Sequence, residues 1–157
     1  MKGSEVIRVD VFGYGLTYAH GQYVMSSGRV VDALPSPVVR IETRDGPTGY
    51  GESCPLGATY LPALGGARAA VAELAPALFG VEATNLAEVS ARMDAILRGH
   101  VYAKSASDIA LWDILGKSTG RLGRGTAGRA SADPTPSLCG RSDGRSRRDG
   151  DFRLSRA

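Results

Sequence analysis

Few side chains in this sequence have the type and spacing that chemistry would need. Asp108 and Asp113 lie five residues apart within a predicted helix, so they do not share one face and do not converge on a single proton or metal ion. We interpret them as exposed or capping acids. His20 and His100 have no partner at metal-site spacing, and a lone histidine is more often a surface or packing residue. These groups therefore predict no catalytic residue and no metal ligand.

Two further residues stand where a short predicted strand ends. Glu52 could orient a ligand or make a structural hydrogen bond, and both interpretations stay open. Cys54 could act as a nucleophile, but no base is fixed beside it, and we expect a small buried hydrophobic residue. The stretches GYGL at 13–16 and GYGES at 49–53 lack the full G-x-G-x-x-G pattern, so they do not indicate a phosphate site.

The composition favours one domain of ordinary size. The chain has 157 residues, of which 43% are hydrophobic, which is compatible with a packed core. No apolar run approaches the length of a membrane span, and residues 1–11 lack the apolar region of a signal peptide. Two cysteines, Cys54 and Cys139, are too few for a disulfide framework or a cysteine-based zinc site. We therefore expect a cytoplasmic, reducing setting and no membrane partner.

The charge divides the chain into two unlike parts. Residues 1–117 carry 10 Lys and Arg against 12 Asp and Glu, whereas residues 118–157 carry 9 Arg against 4 Asp. The second part also has seven glycines and few large apolar residues, so we expect a disordered Arg/Gly/Ser-rich tail. A GC-rich gene read out of frame would give this blend, and we interpret the tail as frame-shifted or aberrant. An Arg-rich tail that binds RNA phosphates is the alternative, although the tail lacks interleaved aromatic residues for base stacking.

Residues 1–117 alternate and then turn helical. Apolar residues alternate in 5–12 and again in 37–44, and a turn at Asp45–Gly46 leads to a third strand at 48–53. In the first strand we expect Ile7, Val9 and Val11 on one face and Arg8 and Asp10 on the other. No period survives in 13–36, which we interpret as a long loop, and 54–62 forms a second loop.

Three helices are predicted after these strands. Residues 63–75 form the first, which Pro76 interrupts; residues 85–98 form the second, capped by Thr84 or Asn85; and residues 102–116 form the third. In the first helix the predicted apolar face comprises Leu64, Ala67, Ala70, Val71 and Leu74. In the second it comprises Leu86, Val89, Met93, Ile96 and Leu97, and in the third Ala106, Ile109, Ala110, Trp112 and Ile114. The order predicts an α+β fold, a three-stranded antiparallel meander followed by a helical bundle.

Three stretches carry a resemblance to a known family. They are GQYVMSSG at 21–28, TGYGESCPLGATY at 48–60 and GHVYAKSASDIALWDILGK at 99–117. Residues 1–117 resemble the N-terminal capping domain of the mandelate racemase / muconate lactonizing enzyme group of the enolase superfamily. Within that group they are most similar to hydroxyproline betaine epimerases and cis-3-hydroxyproline dehydratases. The resemblance implies a cap whose loops close over a substrate bound at a (β/α)8-type barrel.

The same resemblance implies which chemistry this chain lacks. Family members abstract a proton next to a carboxylate with Lys or His bases, and Mg²⁺ stabilises the resulting enediolate. Those bases and metal ligands lie on the barrel, and no barrel can be drawn from the residues that follow Lys117. We therefore assign no catalytic residue and no metal ligand to this chain. Mg²⁺ is implied for the full-length family alone.

What the resemblance transfers is the role of a lid over the substrate. Loops 13–34 and 54–62 match the two cap loops that shape the pocket, with Tyr60 as the first candidate and Tyr23 and Met25 as further ones. The ring of Tyr60 would face the ammonium of a proline-like or betaine substrate, or else pack against the helices.

The resulting hypothesis is a truncated substrate-capping domain of a racemase, epimerase or dehydratase that is inactive alone. It would meet its carboxylate substrate only if a barrel is supplied. The alternatives are a stand-alone interaction or small-molecule-binding module, whose exposed helix face a partner chain would cover, and, third, an Arg-rich RNA-associated protein.

Overall fold

The computed structural model describes residues 3–19, 21–54, 64–121 and 147–155, the last of these as backbone alone. Within these ranges the chain forms six strands and three helices. The strands are β1 (Val6–Thr17), β2 (Tyr23–Val24), β3 (Val30–Val31), β4 (Ala33–Thr43), β5 (Gly49–Glu52) and β6 (Arg147–Ser155). The helices, which lie between β5 and β6, are α1 (Leu64–Leu78), α2 (Leu86–Ile96) and α3 (Val101–Ser118). The predicted α+β order is confirmed.

The predicted meander forms three adjacent strands, β5, β4 and β1, of a four-stranded antiparallel sheet with the order β5-β4-β1-β6. The expectation of a loop throughout 13–36 is wrong, because β1 continues to Thr17 and pairs with β4 as far as Ala33. Backbone pairing does not require side-chain alternation, so the apolar pattern could not show this extension. Pro35 and Pro37 have no amide hydrogen to donate. They are tolerated because β5 pairs with β4 only from Val38 onwards, so no β4–β5 backbone hydrogen bond in the ladder needs an amide at these two positions.

The expectation that the whole tail is disordered is wrong for its last strand. β6 pairs antiparallel with β1, with Val9 opposite Leu154 and Val11 opposite Phe152. The outer edge of β1 offers a row of backbone donors and acceptors, and a strand can bind them whatever its side chains are. Residues 122–146 lie outside the described residues, so the frame-shift interpretation and the domain boundary at 117 stay predictions.

The helices lie close to their predicted positions. Helix α1 runs to Leu78 with Pro76 inside it, so the prediction that Pro76 ends the helix is wrong. Pro76 itself is exposed, while Ala75 and Leu78 are buried, and this burial offsets the hydrogen bond that the proline removes. Asn85 caps α2 as predicted, and its side chain accepts a hydrogen bond from the amide of Glu88.

The core lies between one face of the sheet and the helices. Val9 and Val11 are buried as predicted, and so are all five residues of the α1 face. Two apolar residues of the other helices are placed wrongly by the periodicity, since Ile96 is 54% exposed and Ile109 is 45% exposed. The full buried cluster also contains Val6, Val39, Ile41, Ala75, Leu78, Val81, Ala83, Val89, Met93, Tyr102, Ala103, Ala106, Ala110, Leu111 and Ile114.

Helix α3 lies directly against the backbone of β5. A Cβ atom placed on Gly49 would stand 2.1 Å from the carbonyl oxygen of Ala110, and one on Gly51 would stand 2.0 Å from that of Ala106. Only glycine allows this approach, because it has no Cβ atom. The contact holds β5, and therefore Glu52 at its end, at a set distance from α3.

Candidate functional site: one end of the sheet

The tip hairpin, which we define as residues 18–32, joins the end of β1 to the start of β4. Within it β2 pairs with β3, the amide of Met25 donates to the carbonyl of Arg29, and the rings of Tyr18 and Tyr23 stack 5.9 Å apart. Tyr23 is 48% exposed and Met25 is half-buried. Both residues that the resemblance suggested for the lid therefore lie on this hairpin.

The third predicted lid residue, Tyr60, lies outside the described residues, as do residues 55–63 around it and His20. The choice between substrate contact and helix packing for Tyr60 stays a prediction.

The Glu52 cluster, made of Tyr14, Ser36 and Glu52, lies at the same end of the sheet. Ser36 is fully buried, and its hydroxyl donates to Oε1 of Glu52 and stands 3.2 Å from the carbonyl oxygen of Ser53. The phenol of Tyr14 donates to the same Oε1 across 3.2 Å. Of the two interpretations left open for Glu52, the structure shows the hydrogen bond.

The Glu52 carboxylate affects the pKa values of two nearby residues, Tyr14 and Cys54. Burial and the Glu52 carboxylate raise the pKa of Tyr14, and partial desolvation and the same carboxylate raise the pKa of Cys54. The expectation that Cys54 is buried is wrong, because it is exposed at the end of β5. A raised pKa leaves less thiolate at neutral pH, so this environment does not activate a nucleophile.

A buried carboxylate that the sequence reading missed lies further along β1. Asp10 is fully buried, and its two oxygens accept from Arg8 at 3.0 Å and from Arg40 at 2.6 Å. Glu42 joins the network 2.7 Å from Arg40, and Arg40 also stands over the ring of Phe12. Strand alternation places Arg8 and Asp10 together, and the register that pairs Asp10 with Arg40 was the missing signal.

The two acids of α3, Asp108 and Asp113, are both half-buried rather than exposed, and they contact different groups. Asp113 accepts from the amide of Tyr50 at 3.0 Å and from Lys117 at 2.6 Å, so it covers the open edge of β5. Burial raises the pKa of Asp108, and a hydrogen bond from Trp112 partly opposes that shift. At the start of the helix, His100 adopts a left-handed conformation with φ of 49°, and its Nδ1 stands 2.8 Å from the hydroxyl of Tyr102.

The residues at hand do not fit a Mg²⁺ site. Magnesium requires near-octahedral oxygen ligation. Within the described ranges, no three His, Cys, Asp or Glu side chains are grouped so that they could hold a metal ion. Arg8 and Arg40 occupy the oxygens of Asp10, and Ser36 and Tyr14 share an oxygen of Glu52. No step of a reaction is therefore assigned to a metal on this chain.

Helix α3 exposes two apolar side chains. Val101 is 68% exposed and Ile109 is 45% exposed, Trp112 is half-buried, and the polar residues Ser105 and Asp108 lie between Val101 and Ile109 along the helix. Across the part of the chain that the structure describes, no helix is both long and apolar enough to cross a membrane.

The chain matches known sequences over this same region. Residues 17–121 match the family model of the mandelate racemase / muconate lactonizing enzyme N-terminal domain. A cis-3-hydroxy-L-proline dehydratase from Roseibium aggregatum is 47% identical over 118 residues, which cover 74% of this chain and 32% of the relative. An N-succinyl-L-Arg/Lys racemase from Bacillus cereus is 34% identical over 99 residues, 60% of this chain and 26% of that protein. The chain thus spans about a third of the length of these curated relatives or less.

Solved structures agree with the sequence match. A Roseovarius nubinhibens structure, assigned to the mandelate racemase/muconate lactonizing enzyme group, superposes with a TM-score of 0.80 and 36% identity. That match covers 88% of this chain and 38% of the other. A member of the enolase superfamily from the same organism, complexed with magnesium, superposes with a TM-score of 0.66 and 45% identity over 73% of this chain and 31% of that one. This chain belongs to the mandelate racemase / muconate lactonizing enzyme family of the enolase superfamily, and what it contains of that family is the N-terminal domain.

Proposed function

We propose that this chain is the substrate-capping domain of a racemase, epimerase or dehydratase that removes a proton next to a carboxylate. The observation that carries the proposal is the 47% identity over 118 residues to a cis-3-hydroxy-L-proline dehydratase, confined to 32% of that protein. A proline-like or betaine carboxylate is the proposed substrate class. A barrel that these residues do not contain would supply the base and the Mg²⁺, so the chain by itself would have no turnover.

The role proposed for this chain is to cover the substrate and exclude water. The tip hairpin carries Tyr23 and Met25 at the open end of the sheet, and Tyr60 follows β5 in sequence. An aromatic ring over a substrate ammonium contributes about 0.5–2 kcal/mol, which selects the substrate without forming or breaking a bond.

The exposed apolar residues of α3 support a partner for this cap. Val101 and Ile109 expose apolar side chains, and Trp112 adds a large ring that is half-buried. We propose that a barrel covers this face of α3, since exposed apolar side chains gain by leaving water. A stand-alone interaction module would use the same face for an unrelated chain. A cytoplasmic setting remains part of the proposal.

The first experiment asks whether the chain catalyses anything alone. The purified chain is incubated in deuterium oxide with Mg²⁺ and hydroxyproline betaine, proline betaine or cis-3-hydroxyproline, and exchange at Cα is followed by NMR. No exchange above background is expected. Exchange by the chain alone would show that it contains its own base and would overturn the proposal.

The second experiment supplies the missing part. The 118 matched residues of this chain replace the corresponding segment of the Roseibium aggregatum dehydratase, and dehydration of cis-3-hydroxy-L-proline is measured. We expect turnover, and we expect Tyr60→Leu to raise KM by about 2- to 30-fold while Tyr60→Phe, which keeps the ring, leaves it unchanged. A folded chimera without turnover would contradict the proposed substrate class.

RNA binding by the Arg-rich tail is a separate hypothesis with a simple assay. RNA retention at moderate salt is compared between the intact chain and a chain that ends at residue 117. Retention that depends on residues 118–157 would favour an RNA-associated protein, and no retention by the intact chain would exclude it.

A further inference from the structure

Backbone pairing between β4 and β5 stops at Val38, six residues from the tip hairpin. The last paired residues are Val38 and Glu52, and one more backbone hydrogen bond follows, from the amide of Ser53 to the carbonyl oxygen of Pro37 at 3.2 Å. Because β5 ends there, the regular ladder does not continue beyond this bond. The hydroxyl of Ser36 also contacts Ser53, at its carbonyl oxygen.

The Glu52 cluster lies at this point and joins three strands. Tyr14 lies on β1, Ser36 on β4 and Glu52 on β5, and a single carboxylate oxygen accepts from both hydroxyls. Ser36 has no exposed surface, so its hydroxyl is held in place, and it also stands 3.2 Å from the carbonyl oxygen of Ser53. Hydrogen bonds to an ionised acceptor are stronger than those between neutral groups.

Two of these three strands, β1 and β4, carry the tip hairpin. Tyr14 lies three residues before the end of β1 at Thr17, and Ser36 lies three residues after the start of β4 at Ala33. The Glu52 carboxylate, which accepts hydrogen bonds from Tyr14 and Ser36, therefore connects the base of the hairpin to the end of β5.

We propose that Glu52 is a positioning residue that fixes Ser53 and Cys54, where the chain leaves β5, relative to the base of the tip hairpin that carries Tyr23 and Met25. The role of the hairpin over a substrate rests on the proposed function; the positioning itself does not. Ser36 and Tyr14 are the groups through which Glu52 acts.

Two substitutions separate the charge of Glu52 from its hydrogen bonds. Glu52→Gln keeps an oxygen that accepts from Ser36 and loses the charge, whereas Glu52→Met keeps the length and loses both. Glu42→Gln and Glu42→Met are the matched controls, because Glu42 lies on the same sheet but pairs with Arg8 and Arg40. All variants are made in the full chain with Cys139→Ser, which leaves Cys54 as its one thiol.

Hydrogen exchange of the Ser53 amide measures the positioning. We expect Glu52→Met to speed this exchange by about tenfold, through loss of the bonds that hold the end of β5, while Glu52→Gln stays close to the parent. Exchange in the buried part of α1 should not change, which separates a local effect from general loss of stability. Parent-like exchange in Glu52→Met, or equal acceleration in Glu42→Met, would overturn the proposal.

Alkylation of Cys54 tests independently whether the Glu52 carboxylate lies beside this thiol. The nearby carboxylate raises the pKa of this thiol, so both Glu52 variants should alkylate about twofold faster at neutral pH, whereas the Glu42 variants should match the parent. Unchanged alkylation in both Glu52 variants would show that Glu52 does not lie beside Cys54 in solution. Neither measurement uses a substrate or a barrel, so failure here is distinct from failure of the chimera.

Discussion

Replacing Gly51 by alanine tests the close packing of α3 on β5. The new Cβ would lie 2.0 Å from the carbonyl oxygen of Ala106 and 2.5 Å from the amide nitrogen of Ala110. Both are backbone atoms of α3 that cannot rotate away, so the helix would have to move by more than about 1 Å to restore van der Waals contact. The movement would open the core where Leu111 and Ile114 are fully buried.

We expect Gly51→Ala to cost about 3 kcal/mol of the free energy of unfolding, at the upper end of the range for overpacked sites. In urea the midpoint should fall by about 1–2 M with an unchanged slope. Trp112 is the single tryptophan of the chain and lies on α3, so its fluorescence reports the helix while far-UV circular dichroism reports the whole fold.

Two other glycines act as controls for this reasoning. Gly49 makes the same kind of contact, 2.1 Å from the carbonyl oxygen of Ala110, so Gly49→Ala should be comparably destabilising. Gly65 lies in the first turn of α1, and no atom of the described residues lies within 4 Å of an added Cβ, so Gly65→Ala should stabilise the chain by about 0.5–1 kcal/mol. A Gly51→Ala variant within about 0.5 kcal/mol of the parent, with unchanged Trp112 emission, would refute the packing argument.

Two further predictions concern buried or half-buried charge. Arg40→Met should lower the free energy of unfolding by about 3–5 kcal/mol, because it leaves the fully buried Asp10 with Arg8 as its one remaining partner in this network. Asp10→Asn should lower it by about 1–3 kcal/mol, because both arginines can reach water. Denaturant titration that ranks the two variants in the reverse order would contradict this. Burial raises the folded-state pKa of Asp108, so its contribution to stability is fully present below the ordinary value of 3.8 and is lost as pH rises through the folded pKa. Asp108→Asn should therefore be more stable than the parent at pH 7 and equal to it below about pH 4 in thermal melts, and a difference that is constant with pH would exclude this linkage.

Much of the architecture could be predicted because it depends on local periodicity. The α1 face of Leu64, Ala67, Ala70, Val71 and Leu74 repeats with the helical period, and the structure buries all five. Ile109 shows the limit of the same argument, because periodicity identifies an apolar residue but does not say whether another element covers it. In the described residues nothing covers Ile109 fully, and it remains 45% exposed.

The candidate site was harder to predict because it depends on register. Tyr23 and Met25 were identified through resemblance, and the structure places both on the tip hairpin. The sequence showed Glu52 as a polar residue at a strand end, but not that Ser36 and Tyr14 would reach it, since they lie 16 and 38 residues away along the chain.

The sequence by itself determined the order of strands and helices, most of the apolar faces and the family. Each of these depends on residues close together in the chain or on short motifs. Only the tertiary structure decided that Asp10 is buried between two arginines and that β1 extends to Thr17 opposite Ala33. It also decided that β6 occupies the outer edge of β1. Cross-strand register and the choice of neighbour at a sheet edge are contacts between distant residues, and local composition does not specify them.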